Sequence, residues 1–251
     1  MEEERKQFYL KLLRSEISPA LGCTEPAAAA LCAAGAAEML GEKVERAEIH
    51  VSEYILKNGM NVGIPGLDCT GLYMAGALGA VSAEPQKKLL VLSSLSEEQK
   101  QQAAELVRKE RVSVTLKENV EKIYIAVKVY GQNHCAEAVI EGQHTRFIQK
   151  LKDGEVIWEN TGNTGLPEST KKDADSLSPS DITMEEIWEF IQDTDSVSLA
   201  FLQEVIDVNM AIAEEGLRKD YGLHVGRGII RNEKGSLIGR DIANTASFTD
   251  R

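Results

Sequence analysis

Residues 24–40, TEPAAAALCAAGAAEML, hold eight alanines and one glycine, and this run constrains the fold more than any other. Alanine is the best helix former, and the run opens with helix-start chemistry: a hydroxyl at Thr24, an acid at Glu25, and a proline at Pro26 where its missing N–H costs nothing. A helix built from such small side chains covers its own backbone poorly, so it must lie in tight contact with its neighbours. Gly41 is its expected stop. A second small-residue segment, TGLYMAGALGAVSA, carries Gly71, Gly76 and Gly79, and something must approach that backbone closely or interrupt it.

Other segments are more conventional. Phe8, Leu12, Leu13 and Ile17 fall at helical spacing, so residues 5–17 are predicted as an amphipathic helix, broken by Ser18-Pro19-Ala20-Leu21-Gly22. Ala47, Ile49 and Val51 alternate within a strand predicted over 44–55, and KKLLVLSSL reads as another. Ser96 with Gln99 makes a capping box for a helix running to about Lys109. RVSVTLKE, EKIYIAVKVYG, NHCAEAVIEG, TRFIQKLKDG and EVIWE then read as short strands joined by turns. Residues 160–180 are polar and rich in Gly, Pro and Ser, as in a linker. A helix is expected from about Met184, then another from Leu199 to Asp220 with Leu202, Val205, Ile206, Met210 and Ala213 facing inward.

The expected class is therefore α+β: a helical layer from the N- and C-terminal segments, with an inserted subdomain of mainly antiparallel strands. The expected divisions are residues 1–85, the α+β subdomain 86–160, the linker 161–180 and the C-terminal helical segment 181–251. Ile238, Ile242 and Ala246, with Phe248 beside them, begin a fresh helical stripe just before the last residue, which reads either as a short frayed terminal helix packed back on the body or as a truncated chain.

Charge excludes several roles. The 40 acidic residues outnumber the 28 basic ones, for a net charge of −12, whereas binding nucleic acid or anionic lipid requires a basic face. No segment reaches the roughly 20 apolar residues of a membrane span, and MEEERKQFYLKLL is not a signal peptide, so the expected compartment is the cytoplasm.

The chemistry is expected at Cys23. It stands directly before the helix start, where unpaired N–H groups and the helix dipole favour a thiolate, the form that both a nucleophile and an iron ligand require. The competing reading is a small residue tolerated in a turn. Cys32, inside the alanine-rich helix, is expected to be buried. Cys69, in LDCTG before the second small-residue helix, is a secondary candidate, and Cys135 falls in a strand. His50, His134, His144 and His224 are scattered without zinc-site spacing. KNGMNVGIPG (57–66) reads as a glycine-punctuated loop able to hold a small carboxylate through backbone N–H groups and Lys57.

SPALGCTEPAAAAL (18–31), KNGMNVGIPG (57–66), GLHVG (222–226) and NTASFTD (244–250) together resemble the L-cysteine desulfidase family, related to the α chain of iron–sulfur L-serine dehydratases. The resemblance runs over essentially the whole chain and is weakest across 86–180. It implies a [4Fe–4S] cluster held by three cysteines, with the fourth iron open to substrate as a Lewis acid, and β-elimination giving pyruvate, ammonia and, from cysteine, sulfide. By that resemblance Cys23 is the first metal ligand, Lys57, Asn58 and Gly59 contact a small amino-acid substrate, and Thr24 and Glu25 orient the cysteine. The family's other two ligands lie in a C-terminal half that this sequence does not contain, and none of Cys32, Cys69 and Cys135 falls in a matching motif. The isolated chain is thus expected to lack the cluster and to be inactive, unless a complementary C-terminal chain supplies the ligands. A homo-oligomer is a further expected partner. A serine deaminase and a non-catalytic binding or assembly module are the alternatives.

Overall fold

The computed structural model describes residues 1–17, 19–20, 22–64, 67, 69–160, 179–219, 224 and 228. The chain is α+β, with a six-stranded, mostly antiparallel sheet. It forms two compact units, Met1–Ser18 with Lys172–Arg251, and Pro19–Lys171. The sequence expectations for 161–178, 220–223, 225–227 and 229–251 lie outside the described residues, as do those for Ser18, Leu21, Pro65 and Gly66.

In the larger unit the alanine-rich run is helix α2 (Thr24–Leu40), closed by Gly41 at φ +72°. It is buried almost end to end, and its small residues let a second helix, α4 (Gly71–Ser82), pack directly on its backbone. At Gly79 a Cβ would sit 2.0 Å from the Ala30 carbonyl oxygen, so only glycine permits that approach. Gly71 has φ +88° and also faces backbone, the Met60 carbonyl oxygen. Its left-handed conformation starts α4 without interrupting it.

Beneath these helices lies the sheet, in the order β2 (Val112–Leu116), β1 (Arg46–Val51), β3 (Tyr124–Tyr130), β4 (Cys135–Glu141), β5 (Phe147–Lys152) and β6 (Glu155–Glu159). Only β1 and β2 run parallel. Their crossover carries α3 (Glu53–Gly59), α4 and α5 (Glu97–Arg108). The alternation in β1 buries Ala47, Ile49 and Val51 against the helices. On the other face Tyr130 donates a hydrogen bond to Glu48 at 2.8 Å. The capping box of α5 forms as expected, with Ser96 Oγ accepting from the Gln99 amide and the Gln99 side chain accepting from the Ser96 amide.

Three sequence expectations are corrected. The strand over 44–55 ends at Val51, because Ser52 accepts from the Ile55 amide, caps α3, and anchors itself by donating to the Lys122 carbonyl at 2.6 Å. Lys57, Asn58 and Gly59 therefore end a helix and do not begin a loop. KKLLVLSSL is not a strand: Pro85 starts a 3-10 helix to Leu90, and Leu89, Val91 and Leu92 still reach the core.

The third concerns the smaller unit. Here α1 (Glu3–Glu16), α6 (Met184–Asp193) and α7 (Phe201–Arg218) surround Tyr9, Leu10 and Phe190, with the Tyr9 and Phe190 rings stacked 5.0 Å apart. The inward face expected for α7 fails at Ile206 and Met210, which are exposed; Ala213 and Gly216 are its buried residues. Among the described residues no helix is long and apolar enough to cross a membrane.

Candidate functional site

Helix α2 lies along the sheet in a defined direction. Its last residue, Leu40, accepts a hydrogen bond from Lys152 Nζ at the end of β5, and Gly35 meets Phe147 at the start of that strand. The beginning of α2 consequently reaches the end of the sheet where β4 turns into β5. Cys23, Thr24 and Glu25 sit there, together with the turn residues Gly142–Thr145. The C-terminal end of α3 completes the site, since Asn58 Nδ2 donates to Glu25 Oε1 at 3.3 Å.

Glu25 is the hub, and it is 6% exposed. Its Oε2 accepts from the Cys23 thiol at 2.8 Å and from Thr24 Oγ1 at 3.3 Å. Burial alone would raise its pKa, but the hydrogen bonds from Cys23, its own amide and Asn58 outweigh that and hold it below 4.5. The contribution Glu25 makes to stability is thus complete above the unfolded value and is lost as pH falls through the lower folded value.

Cys23 is the N-cap residue of α2, as the helix start at Thr24 implies, but its side chain does not cap. The thiolate expected from the helix dipole is not the favoured state. Burial raises the Cys23 pKa, the bond to the Glu25 carboxylate raises it further, and the backbone amides of Glu25 and Thr24 oppose this without prevailing. Removing that negative charge in Glu25→Gln is expected to speed alkylation of Cys23 at neutral pH, read by mass spectrometry of its peptide. The same substitution should flatten the acid limb of the stability curve. An unchanged Cys23 rate would mean that the carboxylate does not govern the thiol.

Of the other expected site residues, Lys57 is exposed in the last turn of α3, and Gly59 is buried where a Cβ would strike Leu72. The remaining cysteines are dispersed. Cys32 is fully buried, its thiol donating to the carbonyls of Ala138 at 3.1 Å and Ile125 at 3.5 Å, and burial pushes its pKa far up. Cys69 is half-buried against the core ahead of α4, and Cys135 begins β4, where its amide donates to Asp153. None is in a disulfide.

A cubane cluster with one open iron takes three thiolates. Among the described residues no group of three or more Cys, His, Asp or Glu is placed to hold a metal ion. One cysteine beside one carboxylate does not fit the cluster by itself.

His144 was passed over in the sequence because no second histidine stands at ligand spacing. It lies in the β4–β5 turn, half-buried, and its Nε2 is buried without a hydrogen-bond partner. Burial lowers its pKa, and the nearby Glu25 charge works against this. A cleft of about 470 Å³ lies elsewhere, at the C-terminal end of α2 between Ala37, Glu42, Ala83 and Lys109, and holds no cysteine or histidine.

The chain is 37% identical over 244 residues to a UPF0597 protein of Alkaliphilus oremlandii, an alignment covering 97% of this chain and 56% of that relative. It is 38% identical to a UPF0597 protein of Oleidesulfovibrio alaskensis, with 95% and 54% covered. Its homologues are UPF0597 proteins. A third, from Clostridioides difficile, is 36% identical, with 94% and 55% covered. The chain spans about half the length of the UPF0597 relatives it matches. No family model matches it, and no solved structure does. The name UPF0597 carries no activity to transfer.

Proposed function

We propose that this chain is the N-terminal portion of an iron–sulfur-dependent β-eliminating lyase that converts L-cysteine to pyruvate, ammonia and sulfide. The observation that carries the reading is the convergence of two motifs that are 33 residues apart: Glu25 of GCTEP receives hydrogen bonds from both Cys23 and Asn58 of the KNGMNVGIPG segment. These are the two blocks on which the desulfidase resemblance rests most specifically.

In this reading Cys23 is one ligand of the cluster and residues outside this chain supply the others. The group, when bound, supplies Lewis-acid activation of the leaving group. The chain's own residues do the rest. Before the metal is bound, Glu25 takes the hydrogen bond of the Cys23 thiol and fixes the direction of the sulfur. Lys57 offers an exposed ammonium to the substrate carboxylate, Asn58 orients Glu25 and faces the substrate with its remaining polar atoms, and Gly59 keeps the helix end close to Leu72. Serine in place of cysteine would undergo the same elimination with hydroxide leaving.

A non-catalytic binding or assembly module is the second reading, favoured by the single candidate ligand among the described residues. One experiment separates the two. The full gene product carrying this sequence is reconstituted anaerobically with iron and sulfide and assayed for pyruvate from L-cysteine and L-serine. The lyase reading expects about four irons per chain, oxygen-sensitive turnover and stoichiometric sulfide from cysteine. A product that binds no iron and turns over neither amino acid leaves the module.

A further inference from the structure

The β4–β5 turn brings an imidazole to the start of α2, and nothing in the proposed lyase chemistry has yet used it. We propose that His144 is the catalytic base of the site, taking the Cα proton of a small amino acid held between α2, α3 and this turn. The inference rests on the proposed elimination and names the group that it lacks.

Two independent observations carry it. The first is placement. Lys152 meets Leu40, Lys150 pairs with Glu38 at 3.7 Å, and Phe147 meets Gly35, so β5 and α2 run side by side in the same sense away from the turn. Followed back along both elements, that alignment sets residues 142–145 against Cys23–Glu25. The second is the orphaned Nε2. A buried nitrogen without a partner costs free energy, and native folds keep few such groups without a use for them. Because the residue is only half-buried, rotation of the ring about its Cβ–Cγ bond, which is torsionally soft, turns Nε2 toward the open side.

The chemistry balances with water as the only other reactant. Nε2 takes the proton from Cα, the Cα–H electron pair becomes the Cα=Cβ bond, and the Cβ–S pair departs with sulfur as hydrosulfide. The enamine then hydrolyses to pyruvate and ammonia. Burial keeps the imidazole neutral and ready to accept, while the neighbouring Glu25 carboxylate stabilises the imidazolium once it forms.

The test has two parts. On this chain, the ring resonances of His144 are followed by NMR as L-serine is added, with His144→Asn assigning them. A saturable shift is expected, and an unmoved ring overturns the proposal. On the cluster-loaded full gene product, His144→Asn should lower kcat by about 10²–10⁴-fold while iron content and KM hold, and should abolish exchange of the substrate α-proton with solvent. Retained turnover or exchange also overturns it. If the ring shifts but the loaded wild-type protein eliminates neither amino acid, the lyase reading falls and a role for His144 as a base falls with it. The contact between His144 and the amino acid would survive that result.

Discussion

Gly79→Val is expected to destabilise the larger unit by about 3 kcal/mol or more, in the upper range for overpacked cores, and to lower the thermal midpoint by about 10 °C. The reason is that the obstacle is backbone. A Cβ at this position would lie 2.0 Å from the Ala30 carbonyl oxygen and 2.6 Å from the Ala30 Cα, so no rotamer change can relieve the clash. Helices α2 and α4 would have to separate, and α2 is the element whose start holds Cys23 and Glu25. Gly63→Ala is the control, because a Cβ there meets nothing within 4 Å. Its effect should stay within about 1 kcal/mol of the parent. Urea denaturation of both variants checks the pair, and equal stabilities would show that the helices do not depend on the bare glycine face.

Cys23→Ala in the reconstituted full gene product should remove most of the bound iron and lower elimination by about 10³-fold or more. A Lewis-acid metal contributes several kcal/mol to a transition state, and each 1.36 kcal/mol is a factor of ten in rate. Cys135→Ala should keep both iron and turnover, since that residue begins β4 and its backbone amide, not its sulfur, makes the bond to Asp153. Iron analysis and pyruvate release read the comparison. Normal iron and turnover in Cys23→Ala would remove this sulfur from the mechanism, whatever the protein's reaction proves to be.

Local sequence determined a good part of this architecture. The alanine run, its start at Thr24 and its stop at Gly41 are properties of neighbouring residues, because helix propensity, capping and the left-handed stop act over a single turn. Ser96 with Gln99, and the strands β3 to β5 between their turns, were legible for the same reason. The misread segments are those where a distant partner decides. Ser52 ends β1 and starts α3 because its hydroxyl finds the Lys122 carbonyl, 70 residues away. The apolar run after Pro85 reads equally well as a strand, but no sheet neighbour is available to pair with it.

The site divides along the same line. Cys23 and Glu25 were visible because they stand two residues apart at one helix start, and Lys57 to Gly59 because they carry a motif. Their joining through Asn58, the protonated state of the thiol and the arrival of His144 are products of folding. A pKa depends on burial and on charges within a few ångströms, and an imidazole becomes a candidate base only when tertiary structure leaves its nitrogen buried and unpartnered. Sequence thus named the sulfur and the carboxylate, and the packing of α2 alongside β5 in the same sense decided what stands beside them.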